Sequence, residues 1–356
     1  MGESALYFVA TPEAAMSYST PSQVVARQLA YFEGKHVLLA GELEDTFATE
    51  LLGSAESVSI FTTNLAYANQ MRRYDAINVQ FGESYSAMPN VDMVLLYWPK
   101  AKAEAEFLLS MLMASLGQDT EIVVVGENRS GVRSIEKMFT PYGTVTKFDS
   151  ARRCGFYWGQ CTNEPTPFNL DDWYKSYPLH LGEHTLTIRS LPGVFSHGEL
   201  DVGSKLLLDT LPSLSGEVFD FGCGAGVIGA AIKLLYPTAN ITMVDISALA
   251  VASARETLRF NELDGTVLAS DVYSEVSSKF DHIVSNPPFH AGLKTHYAAT
   301  ETFLQRAPEF LNRQGQLTVV ANSFLRYPPF IESAFGHCDT PAKNNKFAIY
   351  HAVKTA

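Results

Sequence analysis

Short apolar runs rich in β-branched and aromatic residues alternate with helical patterns along most of the chain. In the second half the apolar runs are GEVFDFGCGAG (216–226), ANITMVDIS (239–247), KFDHIVSNPPF (279–289) and GQLTVVANSF (315–324). The helical patterns between them lie at Val227–Tyr236, Ala248–Asn261 and Thr300–Leu311. Strands that alternate with helices form parallel βαβ units, so this half is predicted to fold as a doubly wound α/β sheet.

The first half repeats this alternation in a weaker form. Its apolar runs are GKHVLLAGE (34–42), ESVSIFTTN (56–64), NVDMVLLYWPK (90–100) and TEIVVVGEN (120–128). Its helical patterns lie at Asp45–Leu52, Leu65–Arg72 and Lys102–Leu116. We interpret the chain as two tandem Rossmann-like α/β domains, the first of them degenerate, although two unrelated α/β domains would share the same rhythm. The stretch TNEPTPFNLDDW (162–173) is the expected junction, which predicts a first domain at 1–165, a linker region at 166–190 and a second domain at 191–356.

Composition and charge limit the class of protein. Hydrophobic residues make up 46% and charged residues 18%, as in globular proteins, and the sequence pattern predicts neither a signal peptide nor a membrane span. The four cysteines form no C-x-x-C pair, which argues against a zinc or disulfide framework, predicts no metal site and fits a reducing cytoplasm. The formal net charge is -12, so binding to nucleic acid would depend on local basic patches.

A glycine-rich turn follows the first strand of the second half. Asp220 ends an apolar run, three glycines follow it, and Asp245 closes the next strand. Glycines at such a turn let the backbone approach a ligand closely, and a carboxylate at the end of the next strand suits ribose hydroxyls. The segment 224–229 also satisfies G-x-G-x-x-G, so the turn alone leaves a dinucleotide and other adenosine cofactors open, as well as a tight structural turn.

Two carboxylates separate these cofactors. Asp271 follows the third strand, where it can accept a hydrogen bond from an adenine amino group. Asp220 suits the ammonium group of an amino acid better than it suits a pyrophosphate, whose negative charge it would repel. Both favour S-adenosylmethionine over NAD. The residues that we predict to line the cofactor site are Asp220, Gly222, Cys223, Gly224, Gly226, Asp245, Ile246, Asp271 and Val272.

The fourth strand of the second half ends in Asn286-Pro287-Pro288-Phe289, which we predict to be the catalytic segment. This motif resembles that of methyltransferases acting on exocyclic or amide nitrogens. Such nitrogens are poor nucleophiles, and the Asn286 side-chain oxygen and the Pro287 carbonyl can accept their two N–H groups and stabilise the developing positive charge. The prolines fix the loop, and Phe289 can stack on a base. The alternative is a rigid surface turn with Phe289 in the core.

The segment LPGVFSHGELDVGSKLLLDTL (191–211) precedes the first strand and predicts a helix at Val202–Leu211. We expect Phe195, Ser196 and Asp201 to lie at the mouth of the cofactor site, with Phe195 contacting the substrate. Helix capping explains Ser196 or Asp201 equally well. We assign no catalytic role to the nearby histidines, because the mechanism requires no strong base.

The first half lacks the residues of this site. Gly41-Glu42-Leu43 stands in place of the glycine turn, Thr63 and Asn64 in place of Asp245, and Tyr97-Trp98-Pro99-Lys100 in place of the proline motif. We therefore expect this half to bind no cofactor and to support folding, orientation or RNA docking. Candidate RNA contacts come from its three basic clusters, which are Arg72-Arg73, Lys100-Ala101-Lys102 and Arg152-Arg153.

The segments LPGVFS, LDVGSKLLL, DFGCGAGVIG, SNPPFH and NKFAIYHAVK resemble those of the ribosomal small-subunit guanine-N2 methyltransferases, the RsmC family. The resemblance covers essentially the whole chain and implies two tandem class I methyltransferase domains, of which the first is degenerate. It implies transfer of a methyl group from S-adenosylmethionine to N2 of a guanine in helix 34 of 16S rRNA. We also expect a cytoplasmic monomer that binds 16S rRNA or the small ribosomal subunit. Alternatives are N2 of a guanine in 23S rRNA, adenine N6, a protein glutamine, and a non-catalytic ribosome-assembly factor.

Overall fold

The computed structural model describes residues 18–287 and 294–355. The chain divides into two compact units, Met1–Leu170 and Asp171–Ala356, and a 3₁₀ turn at Leu170–Trp173 spans the division. No helix in the described ranges is long and apolar enough to cross a membrane. Each unit is built around its own seven-stranded sheet of described strands.

In the second unit the strand order is β12-β11-β10-β13-β14-β16-β15. Its strands are β10 (Gly216–Phe221), β11 (Ala239–Asp245), β12 (Thr266–Ala269), β13 (Phe280–Ser285), β14 (Leu311–Asn322), β15 (Asp339–Lys343) and β16 (Phe347–Val353). The first five strands of that order are parallel to one another, β16 is antiparallel to β14, and β15 is antiparallel to β16, so that β15 again runs in the direction of the first five. The helices are α6 (Val202–Thr210), α7 (Val227–Leu235), α8 (Ala248–Phe260), α9 (Lys294–Arg306) and α10 (Pro328–Phe335), with a 3₁₀ turn at Ala307–Phe310.

The first unit has the equivalent order, β3-β2-β1-β4-β5-β7-β6, which confirms the prediction of two Rossmann-like domains. Its strands are β1 (His36–Gly41), β2 (Ser57–Thr62), β3 (Ile77–Phe81), β4 (Met93–Tyr97), β5 (Glu121–Glu127), β6 (Gly143–Ala151) and β7 (Cys154–Cys161). Its helices are α1 (Thr20–Val25), α2 (Ala48–Leu51), α3 (Leu65–Met71), α4 (Lys102–Ser115) and α5 (Ile135–Met138), with 3₁₀ turns at Ala26–Phe32, Asn128–Ser130 and Val132–Ser134.

Stacked aromatic rings fill the core of the second unit between β10 and the helices. Phe221 lies parallel to Phe303 of α9 with ring centroids 4.0 Å apart, and Tyr273 stacks on Phe310 at the same separation. Such pairs contribute about 0.5–1.5 kcal/mol each beyond their burial. The rings therefore fix β10, and with it the turn that follows, against the body of the unit.

One helix and one hairpin of the second unit illustrate where the structure differs from the sequence-based predictions. The helix predicted at Thr300–Leu311 lies earlier, at Lys294–Arg306, because Pro308 and a 3₁₀ turn end it before β14 begins at Leu311. The sequence also gave no sign of the hairpin of β8 (Lys175–Leu181) and β9 (His184–Ser190), whose strands lie in the region taken as a linker. The side chain of Asn261 at the end of α8 holds this hairpin by bonding both the N–H and the carbonyl of Thr187.

Candidate active site

Three strand ends meet at the carboxyl edge of the second sheet. Phe221, the last residue of β10, pairs with Val244 of β11 on one side and with Ser285 of β13 on the other. The residues that follow these three, Gly222, Asp245 and Asn286, are therefore neighbours along the edge. Asp245 in turn pairs with Ala269 of β12, which brings Asp271 to the same edge. The sheet register thus gathers the carboxylates and the amide that the sequence predicted for one site.

The glycine turn connects β10 to α7 in a conformation that requires glycine at its last position. Gly226 has φ +78° and is the N-cap of α7, and a Cβ there would lie 3.0 Å from the Cβ of Ala254 on α8. The turn is anchored to β11, because the Cys223 N–H donates to the Val244 carbonyl. Burial raises the pKa of the Cys223 thiol well above its ordinary value, so this side chain stays neutral.

Asp220 is fully buried at the end of β10. Its Oδ2 accepts a hydrogen bond from the Gly229 N–H at 2.9 Å, whereas Oδ1 has no partner among the described residues. Burial raises the pKa of the Asp220 carboxyl to about 8, the hydrogen bond from Gly229 lowers it, and the nearby Asp245 carboxylate raises it. An unpaired buried carboxylate oxygen is costly, and it is an acceptor ready for a cationic ligand group.

Asp245 holds the glycine turn and the start of α8 with one carboxylate. Its Oδ2 accepts from the Gly224 N–H at 3.0 Å and its Oδ1 from the Ser247 N–H at 2.9 Å. Burial raises the pKa of Asp245, and these backbone hydrogen bonds act against that rise. A carboxylate has about four acceptor positions, so these backbone bonds leave acceptor capacity for a ligand hydroxyl group next to the following Ile246.

The loop after β12 contains a strained residue that the sequence did not reveal. Val272 has φ +54°, a left-handed conformation that is unfavourable for a β-branched side chain. Its carbonyl accepts from the Ser270 hydroxyl, and the neighbouring Asp271 N–H donates to Ser274 Oγ. Such strain costs on the order of 1–3 kcal/mol and persists mostly at functional positions.

The side chain of Asn286 is held by the first turn of α6. Its Nδ2 donates to Asp201 Oδ2 and to Ser204 Oγ, both at 3.0 Å. Asp201 is also the N-cap of α6, since the Ser204 N–H donates to the same Oδ2. The capping explanation of Asp201 is thus confirmed, and the contact with Asn286 is one that sequence reasoning missed.

Other predicted residues take varied positions. Phe195 is 55% exposed and lies beside the glycine turn, because a Cβ on Gly224 would be 4.0 Å from the Phe195 Cβ. Ser196 has φ +61° and does not cap α6. Pro287 is buried directly after Asn286, whereas Pro288 and Phe289 lie outside the described residues.

The equivalent edge of the first unit is occupied by the protein's own side chains. Tyr97 ends β4 beside Gly41, as Asn286 follows β13 beside Gly222. Its hydroxyl bonds Ser22 Oγ of α1 at 2.9 Å, and Ser22 in turn donates to Asp45 Oδ1. Asp45 Oδ2 accepts from the Ser19 N–H at the start of α1. Within the described residues, this edge therefore has no glycine turn, strand-end carboxylate or amide like those of the second unit.

The capping residues refine the alignment of the two units. Asn64 caps α3 as Ser247 caps α8, and Thr62 Oγ1 accepts from the Asn64 N–H as Asp245 accepts from Ser247. The counterpart of Asp245 is therefore Thr62, whereas the comparison of the two halves of the sequence placed Thr63 and Asn64 there.

The basic clusters of the first unit differ in their availability. Lys100 forms ion pairs with Glu42 and Glu44, and Lys102 pairs with Glu106. Arg152 and Arg153 are exposed and form the two-residue turn between β6 and β7, with φ +50° and +63°. This turn lies at the carboxyl edge of the sheet, because the adjoining Cys154 pairs with Glu127 at the end of β5.

Arg72 and Arg73 are also exposed but follow α3, which runs back to the amino end of β3. The structure therefore places the two arginine pairs at opposite edges of the first sheet. The described residues contain no group of three or more His, Cys, Asp or Glu side chains that could hold a metal ion.

Two family models match the chain. The methyltransferase small domain matches residues 185–351, and the methyltransferase small domain N-terminal model matches residues 22–177. With the strand order and the carboxyl edge, these matches define a methyltransferase domain that follows a related N-terminal domain.

Full-length relatives identify the family. The ribosomal RNA small subunit methyltransferase C of Aliivibrio fischeri (strain MJ11) is 63% identical over 339 residues, which cover 95% of this chain and 100% of that protein. The protein of the same name from Vibrio cholerae (strain El Tor Inaba N16961) is 58% identical over 337 residues, which cover 95% and 99%. The chain belongs to the ribosomal RNA small subunit methyltransferase C family.

A solved structure shares the two-domain fold. It is the T. thermophilus 16S rRNA N2 methyltransferase RsmC in complex with AdoMet and guanosine, with 23% sequence identity and a TM-score of 0.81. The match covers 95% of this chain and 92% of the other.

Proposed function

We propose that this protein transfers a methyl group from S-adenosylmethionine to the exocyclic N2 of one guanine in helix 34 of 16S rRNA. The observation that carries the proposal is the Asn286 amide beside the glycine turn, whose N–H groups bond Asp201 and Ser204 while Oδ1 accepts from none of the described residues. Membership in the ribosomal RNA small subunit methyltransferase C family supports small-subunit rRNA as the substrate.

The residues at the carboxyl edge fit S-adenosylmethionine. The unpaired Asp220 Oδ1 would accept from the cofactor's ammonium group, which neutralises a buried carboxylate. Asp245 would accept from the ribose hydroxyls with its remaining acceptor capacity, and Asp271 would accept from the adenine amino group. The glycine turn with Cys223, and Ile246 and Val272 beside these carboxylates, would complete the lining of the site.

The chain's own groups aim the acceptor nitrogen. When bound, S-adenosylmethionine supplies an electrophilic methyl group; the N–C bond forms as the C–S bond breaks, the electron pair stays on sulfur, and the nitrogen loses one proton to water. Asn286 Oδ1 and the Pro287 carbonyl accept the two N–H hydrogens, which directs the lone pair and stabilises positive charge on nitrogen. Phe289 and Phe195 would contact the guanine, which must leave its stack to enter the site.

We propose that the N-terminal domain (1–165), which forms most of the first unit, serves the catalytic domain (191–356) without a cofactor of its own. Tyr97, Ser22 and Asp45 already satisfy one another where a ligand would bind. We assign RNA docking first to Arg152 and Arg153, because both are exposed. Both also hold an unfavourable backbone conformation, and phosphate contacts by their side chains would offset its energetic cost. Arg72 and Arg73 would contact RNA only at the opposite edge.

The partner would be 16S rRNA or the small ribosomal subunit, bound in the cytoplasm by a monomer. Light scattering of the purified protein at micromolar concentration tests the monomer, and a mass of twice the chain would refute it.

The decisive test maps methylation by mass spectrometry. Small ribosomal subunits from cells lacking this protein are incubated with the purified chain and S-adenosylmethionine, and the rRNA is then digested. One additional methyl on a guanine N2 in helix 34 supports the proposal. A methyl group on 23S rRNA, on adenine N6 or on a protein glutamine would show that the acceptor differs from the one proposed. If no methyl group is transferred but the protein still supports assembly of the subunit, a non-catalytic assembly factor would be favoured.

A further inference from the structure

The contact between Asn286 and the start of α6 is more specific than a fold contact requires. Asp201 and Ser204 take both N–H groups of the Asn286 amide. A carboxylate cannot donate a hydrogen bond, so the amide cannot rotate by 180° without placing its oxygen against Asp201 Oδ2. The orientation of the amide is therefore fixed by chemistry, and among the described residues nothing donates to Asn286 Oδ1.

From this geometry we infer that Asp201 and Ser204 are positioning residues for methyl transfer, which hold Asn286 Oδ1 toward the acceptor nitrogen. The inference rests on the proposed function and adds Asp201 and Ser204 as residues that act through Asn286. Asp201 contributes in a second way, because its negative charge lies beside the Asn286 amide and favours the positive charge that develops on nitrogen during transfer.

The first unit provides an internal comparison for the role of the serine. Ser22 stands three residues after the N-cap Ser19, as Ser204 stands three residues after the N-cap Asp201. Ser22 Oγ bonds the Tyr97 hydroxyl at the strand end, which is the position that Asn286 holds in the second unit. A bond from this helical serine to the strand end is thus common to both units and belongs to the fold.

The second unit differs in the partners of that bond. Its helix begins with a carboxylate instead of a serine, and its strand end carries an amide instead of a phenol. The space beside Asp201 is also restricted to glycine, since a Cβ on Gly203 would lie 2.9 Å from Asp201 Oδ2 and 3.1 Å from the Phe347 ring. In the second unit, the contact between the helix and the strand end therefore orients the Asn286 amide, whereas the contact in the first unit does not orient an amide.

The test measures single-turnover methyl transfer at saturating S-adenosylmethionine to small ribosomal subunits that lack the modification. Ser204→Ala removes one acceptor, and we expect the rate to fall by a factor of about three to ten. Asp201→Asn retains a capping oxygen but removes the charge, and we expect a fall of about tenfold or more. The dissociation constant for S-adenosylhomocysteine should stay within about twofold of wild type in both variants.

Two further measurements separate positioning from folding. In an Asn286→Ala background, adding Ser204→Ala should cause no additional loss of rate, because the group that it orients is gone. Ser22→Ala is the matched control, which should lower the melting temperature yet leave the single-turnover rate at the wild-type value.

Each outcome decides the inference. Wild-type rates in both single variants, or an undiminished effect of Ser204→Ala in the Asn286→Ala background, would overturn it while the proposed function stands. Failure of the wild-type protein to methylate 16S rRNA would instead overturn the proposed function, and this inference with it.

Discussion

The backbone N–H of Gly229 donates to Asp220 Oδ2 at 2.9 Å, and the other oxygen of this buried carboxyl has no partner among the described residues. The pKa of Asp220 is raised to about 8 from an ordinary value of 3.8, with burial as the main cause. The folded protein therefore binds more protons than the unfolded chain between these two values.

Stability should consequently fall as the pH rises. Between about pH 4 and pH 8, Asp220 should lower the free energy of unfolding by up to about 1.4 kcal/mol per pH unit. Asp220→Asn should remove this contribution, since the amide does not ionise. Urea denaturation at pH 5, 6, 7 and 8 measures it, and equal pH slopes in the two proteins would contradict the prediction.

Cofactor binding should release a proton. At pH 7 a carboxyl with a pKa near 8 is mostly protonated, and an ammonium group beside it would stabilise the ionised form. Calorimetric titration with S-adenosylhomocysteine in two buffers of different ionisation enthalpy should show release of up to about one proton, and Asp220→Asn should show none. Equal proton release in both proteins would exclude Asp220 as the partner of the ammonium group.

Asn286→Ala should abolish most methyl transfer while cofactor binding persists. Removing an acceptor that stabilises developing charge typically costs about 10²–10³ in rate. Single-turnover rates and a binding titration measure the two properties separately. Asn312→Ala is the control, because this amide bonds Asp281 at the opposite end of the strands and should leave the rate unchanged.

Asp245→Ala should weaken cofactor binding by about tenfold or more, since it removes the carboxylate that we propose as the acceptor for the ribose hydroxyls and frees the Gly224 N–H. The change is measured by calorimetry with S-adenosylhomocysteine. Asp264→Ala, which removes an exposed carboxylate paired with Lys233, should bind the ligand as wild type does. Unchanged affinity in Asp245→Ala would remove this residue from the site.

Replacing Arg152-Arg153 by Asn-Gly should separate stability from RNA binding. Both positions have positive φ in a two-residue hairpin turn, for which Asn-Gly is the preferred sequence, so the free energy of unfolding should rise by on the order of 1 kcal/mol. Affinity for 16S rRNA should fall, and its dependence on salt concentration should become less steep. Filter binding from about 50 to about 300 mM KCl, which brackets the physiological ionic strength of about 150 mM, tests this. An unchanged salt slope would mean that these arginines do not contact phosphates.

Strand and helix order could be predicted from the sequence because β-rich runs such as 239–247 and their intervening helices carry local periodicity. The glycine turn and Asp245 follow from spacing along one βαβ unit, which is also local. The positions of β6, β7, β15 and β16 could not be predicted in this way, because β7 and β16 join the sheets by antiparallel pairing with β5 and β14, from which another strand separates them in the sequence.

The contact of Asn286 with Asp201 was equally inaccessible, since 85 residues separate the two side chains. The sequence indicated helix capping by Asp201, and in the structure the same carboxylate both caps α6 and binds the Asn286 amide. The positive φ of Val272 and of Arg152 is likewise imposed by the surrounding structure, because neither side chain favours it.

The first unit's closed edge has a consequence for any attempt to build a second cofactor site there. A glycine turn introduced after β1 would not by itself make room for a ligand, because Asp45 still bonds the start of α1 and the Lys100 ammonium still pairs with Glu42 and Glu44. A site at this edge would therefore require several substitutions together, each of which removes a contact that the unit now makes.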